Sequence, residues 1–180
     1  MRKALYILGT LNDHDVDWLS EAGTTRLLEP GELVIKEGRP VDTLFIVLEG
    51  ELLVFSGIME IARLPAGEIV GEISFVDARP PSASVKAAIK SSVLGIPAEV
   101  LRAKLAKDSN FASRFYRAVA VFLADRLRHT TSRFGYGSAK QDGASVASTD
   151  EVNPELHDSL DQAAARFDKL LRGIAARSAG

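Results

Sequence analysis

Hydrophobic positions change their period twice along the chain, and the changes divide it into three textures. Residues 2–22 read as helix in two pieces. Val16, Leu19 and Ala22 recur at helical spacing, Asn12 or Asp13 stands where a cap belongs, and Gly23 is placed to end the second piece. From about residue 24 to 96, short β-branched or aromatic runs take over: Leu33-Val34-Ile35, Leu44–Leu48, Leu52–Phe55, Ile58–Leu64, Ser84–Ile89 and Ser92–Ile96. Turn signals separate them at Pro30-Gly31, Gly38-Arg39-Pro40, Glu49-Gly50, Ser56-Gly57 and Pro65-Ala66-Gly67. Short strands at such intervals predict an antiparallel sandwich or barrel, not alternating strands and helices.

Helical spacing returns after Ile96. Pro97 suits a first turn, and Ala98 to Lys107 continue it. Asp108 or Ser109 then caps a longer helix predicted to reach about Phe134, with Phe111, Phe115, Ala118, Val119, Phe122 and Leu127 close to one face. Residues 135–152, rich in Gly, Ser and Ala, predict a flexible linker. Asn153-Pro154-Glu155 is a helix start, and Leu156, Leu160, Ala164, Phe167, Leu170, Leu171 and Ile174 form the stripe that follows. The expected organisation is one domain over 1–134, a linker over 135–152 and an amphipathic helix over 153–180, with no internal repeat.

Composition narrows what such a chain does. Of 180 residues 46% are apolar, enough for a sizeable core, and 22 basic against 24 acidic side chains give a net charge of −2. That balance argues against a mainly electrostatic nucleic-acid binder, which needs a basic face. No cysteine is present, so there is no disulfide framework, thiolate zinc site or cysteine nucleophile. The apolar run at the N-terminus is too short for a secretory signal, and no stretch approaches the roughly 18 uncharged apolar residues of a membrane helix. The expectation is a cytoplasmic protein without membrane insertion.

The segment with most chemical content is Val70-Gly71-Glu72-Ile73-Ser74-Phe75, followed by Arg79-Pro80-Pro81-Ser82-Ala83-Ser84-Val85. It reads as a strand end, a Gly-Glu turn, one short helical turn and re-entry into a strand. Backbone N–H groups of such a turn facing a pocket offer an anion site, and an inward carboxylate at Glu72 accepts hydrogen bonds from a ribose hydroxyl. Glu72 has a second reading, in which it only holds the turn through backbone N–H groups.

Over roughly residues 5–130 the chain resembles the cyclic nucleotide-binding domain family of bacterial catabolite-activator-type regulators and kinase regulatory subunits. The resemblance rests on Gly31, Gly38 and Gly50 at the turns, on Leu44 to Val47 between them, on Gly67, on Gly71-Glu72, and on Ser82-Ala83 before Val85. It implies a mainly β fold with flanking α: an antiparallel double-stranded β-helix, or jelly-roll-like β-roll, with N-terminal helices and long C-terminal helices. It further implies a ligand cassette at Gly71, Glu72, Ile73, Ser74, Arg79, Ser82 and Ala83. The ligand would be cAMP or cGMP, with no other cofactor and no metal.

The chain also departs from the family pattern. The arginine that contacts the cyclic phosphate is replaced by Pro81. Arg79, two residues upstream, is the candidate substitute. Phe75 replaces an aliphatic residue and is expected to narrow the pocket, and Arg39 and Val41 stand where polar and small residues are usual.

Other functions find less support. His14, His129 and His157 lie outside the strand region, so a metal-binding jelly-roll enzyme lacks its ligands, and no Ser-His-Asp set or Walker loop appears. No enzyme is expected. After the long helix the chain offers a linker and one helix of mixed charge, leaving nothing to enter a major groove. Phe111, Phe115, Val119, Phe122, Leu156, Leu160, Phe167 and Leu170 are the candidate interface of a homodimer or an unidentified protein partner. Two functions of different class follow: a regulatory module coupling ligand occupancy to a partner, and a ligand-free scaffold with a vestigial pocket that acts through its C-terminal helices.

Overall fold

The computed structural model describes residues 6–138 and 154–178. Two short helices, α1 (Tyr6–Thr10) and α2 (Asp13–Ala22), lead into eight strands: β1 (Thr24–Leu28), β2 (Leu33–Ile35), β3 (Thr43–Glu49), β4 (Glu51–Ser56), β5 (Met59–Pro65), β6 (Ile69–Val70), β7 (Ser84–Ala87) and β8 (Ser91–Pro97). Helix α3 (Glu72–Asp77) interrupts the strands, and α4 (Ala98–Lys107), α5 (Ser109–Ser138) and α6 (Pro154–Ser178) follow them.

All pairings are antiparallel, in two four-stranded sheets ordered β1-β8-β3-β6 and β2-β7-β4-β5. Together with the flanking helices this is the expected β-roll.

Strand β3 shows why its run is apolar without alternation. Leu44, Ile46 and Leu48 face a core shared with the helices, while Phe45 and Val47 face a second core between the sheets. A strand buried on both faces loses the polar half of its period. The first core also takes Leu94 and Ile96 of β8 and Phe111, Phe115, Ala118, Val119 and Phe122 of α5; the second takes Leu52, Leu64 and Val85.

Asn12 caps α2 by accepting from the Asp15 N–H at 2.9 Å, while Asp15 accepts from the Asn12 N–H at 2.8 Å. Asp15 is buried, and Arg114 of α5 donates to both its oxygens at 2.6 and 2.8 Å. Asp108, not Ser109, caps α5, accepting from the Phe111 N–H at 2.9 Å.

The candidate interface residues of α5 are corrected here. Phe111, Phe115, Val119 and Phe122 are at most 4% exposed and packed within this chain. Phe111 lies edge-on to Trp18 and stacks on Phe115. They are core, because α5 closes over sheet β1-β8-β3-β6 and needs an apolar face to do so. Leu127, expected on the same face, is 67% exposed.

Helix α5 continues past Phe134 to Ser138, and the rest of the expected linker, residues 139–152, lies outside the described residues.

Helix α6 docks on α1 and α2 of its own chain. Leu170 and Ile174 are buried in the helical core, and Phe167 and Leu171 pack against it. Leu170 is therefore core and Phe167 lines it, whereas the side chains of Leu156 and Leu160 fall outside the described set. Polar contacts fix the register. Arg166 donates to the Leu8 and Gly9 carbonyls at 3.1 and 2.8 Å, satisfying groups that the end of a short helix leaves bare. Lys169 donates to the Asp13 carbonyl at 3.0 Å and to Asp17 at 2.8 Å.

Gly173 makes this approach possible, since a Cβ there would come 2.9 Å from Ser20 Oγ. Gly173→Val is expected to cost about 1–3 kcal/mol of overpacking and to speed hydrogen exchange in α6 while the amides of β3 and β8 stay protected. Unchanged α6 exchange would show that the helix docks without this contact.

Candidate functional site

The elements converge on a cleft of about 270 Å³ at the end of the second sheet. Its apolar wall is Ile35, Val54, Val70 and Val85, and its rim is α3 with the loop that follows.

Gly71 opens α3 with φ +92°, and an added Cβ would stand 2.9 Å from the Thr43 carbonyl. Backbone conformation and space both require glycine there. Glu72 comes next, 2% exposed. Burial pushes its carboxyl above the usual carboxylate range, while Arg126 and the N–H groups of Glu72 and Ile73 oppose the shift. The Glu72 carboxylate thus meets backbone N–H groups at the start of α3 and also lines the cleft.

Each predicted cassette residue lines this cavity: Gly71, Glu72, Ile73, Ser74, Arg79, Ser82 and Ala83. Ser74 is buried, Ile73, Arg79 and Ser82 are exposed, and Ala83 is half-buried. The Arg79 N–H donates to Asp77 at 3.0 Å, so this arginine shares the rim with a carboxylate. Ala78 closes α3 with φ +57°, the sole non-glycine positive φ among the described residues.

Pro81 has a structural task of its own. Its carbonyl accepts from the Gly38 N–H at 2.9 Å. Ser84 Oγ accepts from the Glu37 N–H at 3.0 Å, which ties β7 to the turn after β2.

Phe75 corrects one expectation. It does not line the cleft but turns into the helical core, edge-on to Phe115 with ring centroids 5.9 Å apart and the Arg102 guanidinium 5.0 Å from its ring centre.

Sequence reasoning missed Arg126. This α5 residue reaches the cleft, where its Nη1 lies 2.6 Å from Glu72 Oε1. Its guanidinium carbon stands 4.7 Å from the centre of the Phe122 ring, one helical turn away. The signal was present in the spacing. The stripe Phe115, Val119, Phe122 continues at 126, not at Leu127, and so leads to a cation on a buried face.

Among the described residues no three His, Asp or Glu side chains gather as they would around a metal ion, and no helix is long and apolar enough to cross a membrane.

The arrangement is a two-sheet antiparallel β-roll, closed by a long helix, with a cleft bounded by a short helical cassette. Residues 25–108 match the family model described as cyclic nucleotide-binding domain. Over 91 residues the chain is 30% identical to a cAMP-dependent protein kinase regulatory subunit of Hypocrea atroviridis, covering 49% of this chain and 20% of that protein. Over 95 residues it is 34% identical to the corresponding subunit of Yarrowia lipolytica, covering 51% and 25%. The matched segment thus spans a quarter or less of these relatives' own length. Among solved structures, a cyclic nucleotide-binding domain from Methylobacillus flagellatus superposes with a TM-score of 0.66 at 25% identity, covering 73% of this chain and 80% of that one. The catabolite activator protein of Thermus thermophilus gives 0.62 at 19% identity over 96% and 88%, a likeness of fold.

Proposed function

We propose that this chain is a non-catalytic, cytoplasmic regulatory module whose cleft takes a cyclic mononucleotide, cAMP or cGMP, and passes its occupancy to a protein partner through α5. The observation that carries this reading is the bond between Glu72 and Arg126. A ligand hydroxyl that engages Glu72 acts on the same carboxylate that holds α5, so occupancy and the position of α5 become linked equilibria. The exposed face of α5, with Tyr116 at 48% and Leu127 at 67%, is where a second copy or another protein would read the change. Nucleic acid and membrane insertion have no part in it.

The scaffold reading draws on Pro81, which denies the cassette its cation, and on the ion pair already seated in the cleft.

Calorimetric titration with cAMP and cGMP separates the two. The regulatory reading expects micromolar or tighter binding, weakened at least about tenfold by Glu72→Ala through loss of a charge-assisted hydrogen bond. Absence of heat up to millimolar nucleotide would leave the scaffold.

A further inference from the structure

The cassette has no cation at position 81, yet the cleft contains a guanidinium delivered from outside it. We propose that Arg126 of α5 takes the charge of the anionic ligand in place of the missing cassette arginine. The inference rests on the ligand-binding reading above and adds which residue holds the anion and what the ligand must carry.

Two arginines line the cleft, and their surroundings differ. Arg79 is exposed on the rim, two residues after Asp77, the last acidic side chain of α3, and its own N–H is bonded to that carboxylate. Its side chain would be drawn from solvent and ordered on binding, at a cost in conformational entropy. Arg126 is already in place: its side chain is 30% exposed, the guanidinium lies against Phe122, and one edge is bonded to Glu72. A planar guanidinium with five N–H donors can hold one carboxylate while presenting another edge to an oxyanion.

The pair also selects the ligand. An anion alone would face the Glu72 carboxylate across the same small cavity. An anion bearing a neighbouring hydroxyl satisfies both partners, its negative oxygens on Arg126 and its hydroxyl donated to Glu72. The geometry therefore points to a phosphate ester with an adjacent free hydroxyl, and it attaches the ligand's charge to α5 itself.

The test is calorimetric titration with cAMP, and with adenosine as its uncharged counterpart, on the wild type, Arg126→Gln, Arg126→Lys and Arg79→Ala. Arg126→Gln is expected to weaken cAMP by about 10–150-fold, the worth of a charge-assisted hydrogen bond, and to leave adenosine nearly unchanged. Arg126→Lys should recover part of the loss, and Arg79→Ala should have a small effect. Because Arg126→Gln leaves the Glu72 charge buried, Glu72→Gln is compared with Glu72→Gln/Arg126→Gln, where the same further loss should appear without a stranded carboxylate. Unchanged cAMP affinity in the Arg126 variants, or a loss carried by Arg79→Ala, would overturn this assignment while leaving the ligand-binding reading standing. Failure of the wild type to bind cAMP overturns both.

Discussion

Arg114→Ala is expected to lower the stability of the chain by about 3 kcal/mol, near the lower end of the roughly 3–5 kcal/mol for breaking a buried ion pair. The reasoning begins with Asp15, a carboxylate 3% exposed beneath α5. It accepts from the Asn12 N–H to close the cap of α2, and its charge is met by both arms of the Arg114 guanidinium. Removing the arginine leaves the buried carboxylate with the Asn12 N–H and no opposite charge bonded to it. The lower end of the range applies because the Arg114 side chain is 31% exposed, so part of its charge is already screened by water. Urea unfolding should show a lower midpoint at an unchanged slope. Asp15→Asn/Arg114→Gln should recover part of the loss, since no charge is then buried alone. A loss below about 1 kcal/mol would place this pair with ordinary surface salt bridges.

Gly50→Ala is expected to be comparably damaging for a different reason. Gly50 joins β3 to β4 with φ +85°. An alanine there incurs about 1–2 kcal/mol for the left-handed backbone. Its Cβ would also overlap Ser91 Oγ and stand 2.7 Å from the Lys90 carbonyl. Ser91 cannot turn aside without loss. It accepts from the Glu51 N–H at 3.1 Å and donates to the Ile89 carbonyl at 2.8 Å, tying the two sheets' connections together. Overpacking adds about 1–3 kcal/mol, for a total of roughly 2–5 kcal/mol. Thermal unfolding checks it, with Gly57→Ala as the comparison. Gly57 also has positive φ, +57°, but nothing stands within 4 Å of an added Cβ, so only the backbone part should be lost. Equal losses at the two glycines would show that the Ser91 contact relaxes freely.

What could be seen in the sequence follows the physics of each element. The strands at 33–35, 44–48, 52–55 and 92–96 announce themselves because burial on one or both faces demands apolar side chains. Strand β1 carries no such mark: four of its five residues are exposed, Leu28 alone is buried, and backbone pairing with β8 holds it. Strand β6 has two residues, too few for any period.

The cassette was legible because Gly71 to Ala83 are contiguous and the turn chemistry is local. Ile35 and Val54 enter the same cleft from two other elements, through contacts that periodicity cannot encode; for Arg126 helical spacing marks the face of α5 but not the cleft it meets. Phe75 illustrates the remaining ambiguity, since its type at that position is compatible with the cleft or with the core, and only the approach of Phe115 decides it.

The docking of α6 bears on how the chain assembles. Arg166 and the Leu8 carbonyl it caps are separated by 158 residues. Contacts that distant are reached after the local ones, because closing so long a loop carries the largest entropy cost in the molecule. The strands and α5 can be in place before α6 arrives, and α6 can leave while they persist. On leaving, it uncovers the Leu8 and Gly9 carbonyls and takes Leu170 and Ile174 from the core beside α1 and α2. Helices α1 and α2 keep their own hold on α5 through Asp15 and Arg114, so the departure of α6 loosens the start of the chain without releasing it.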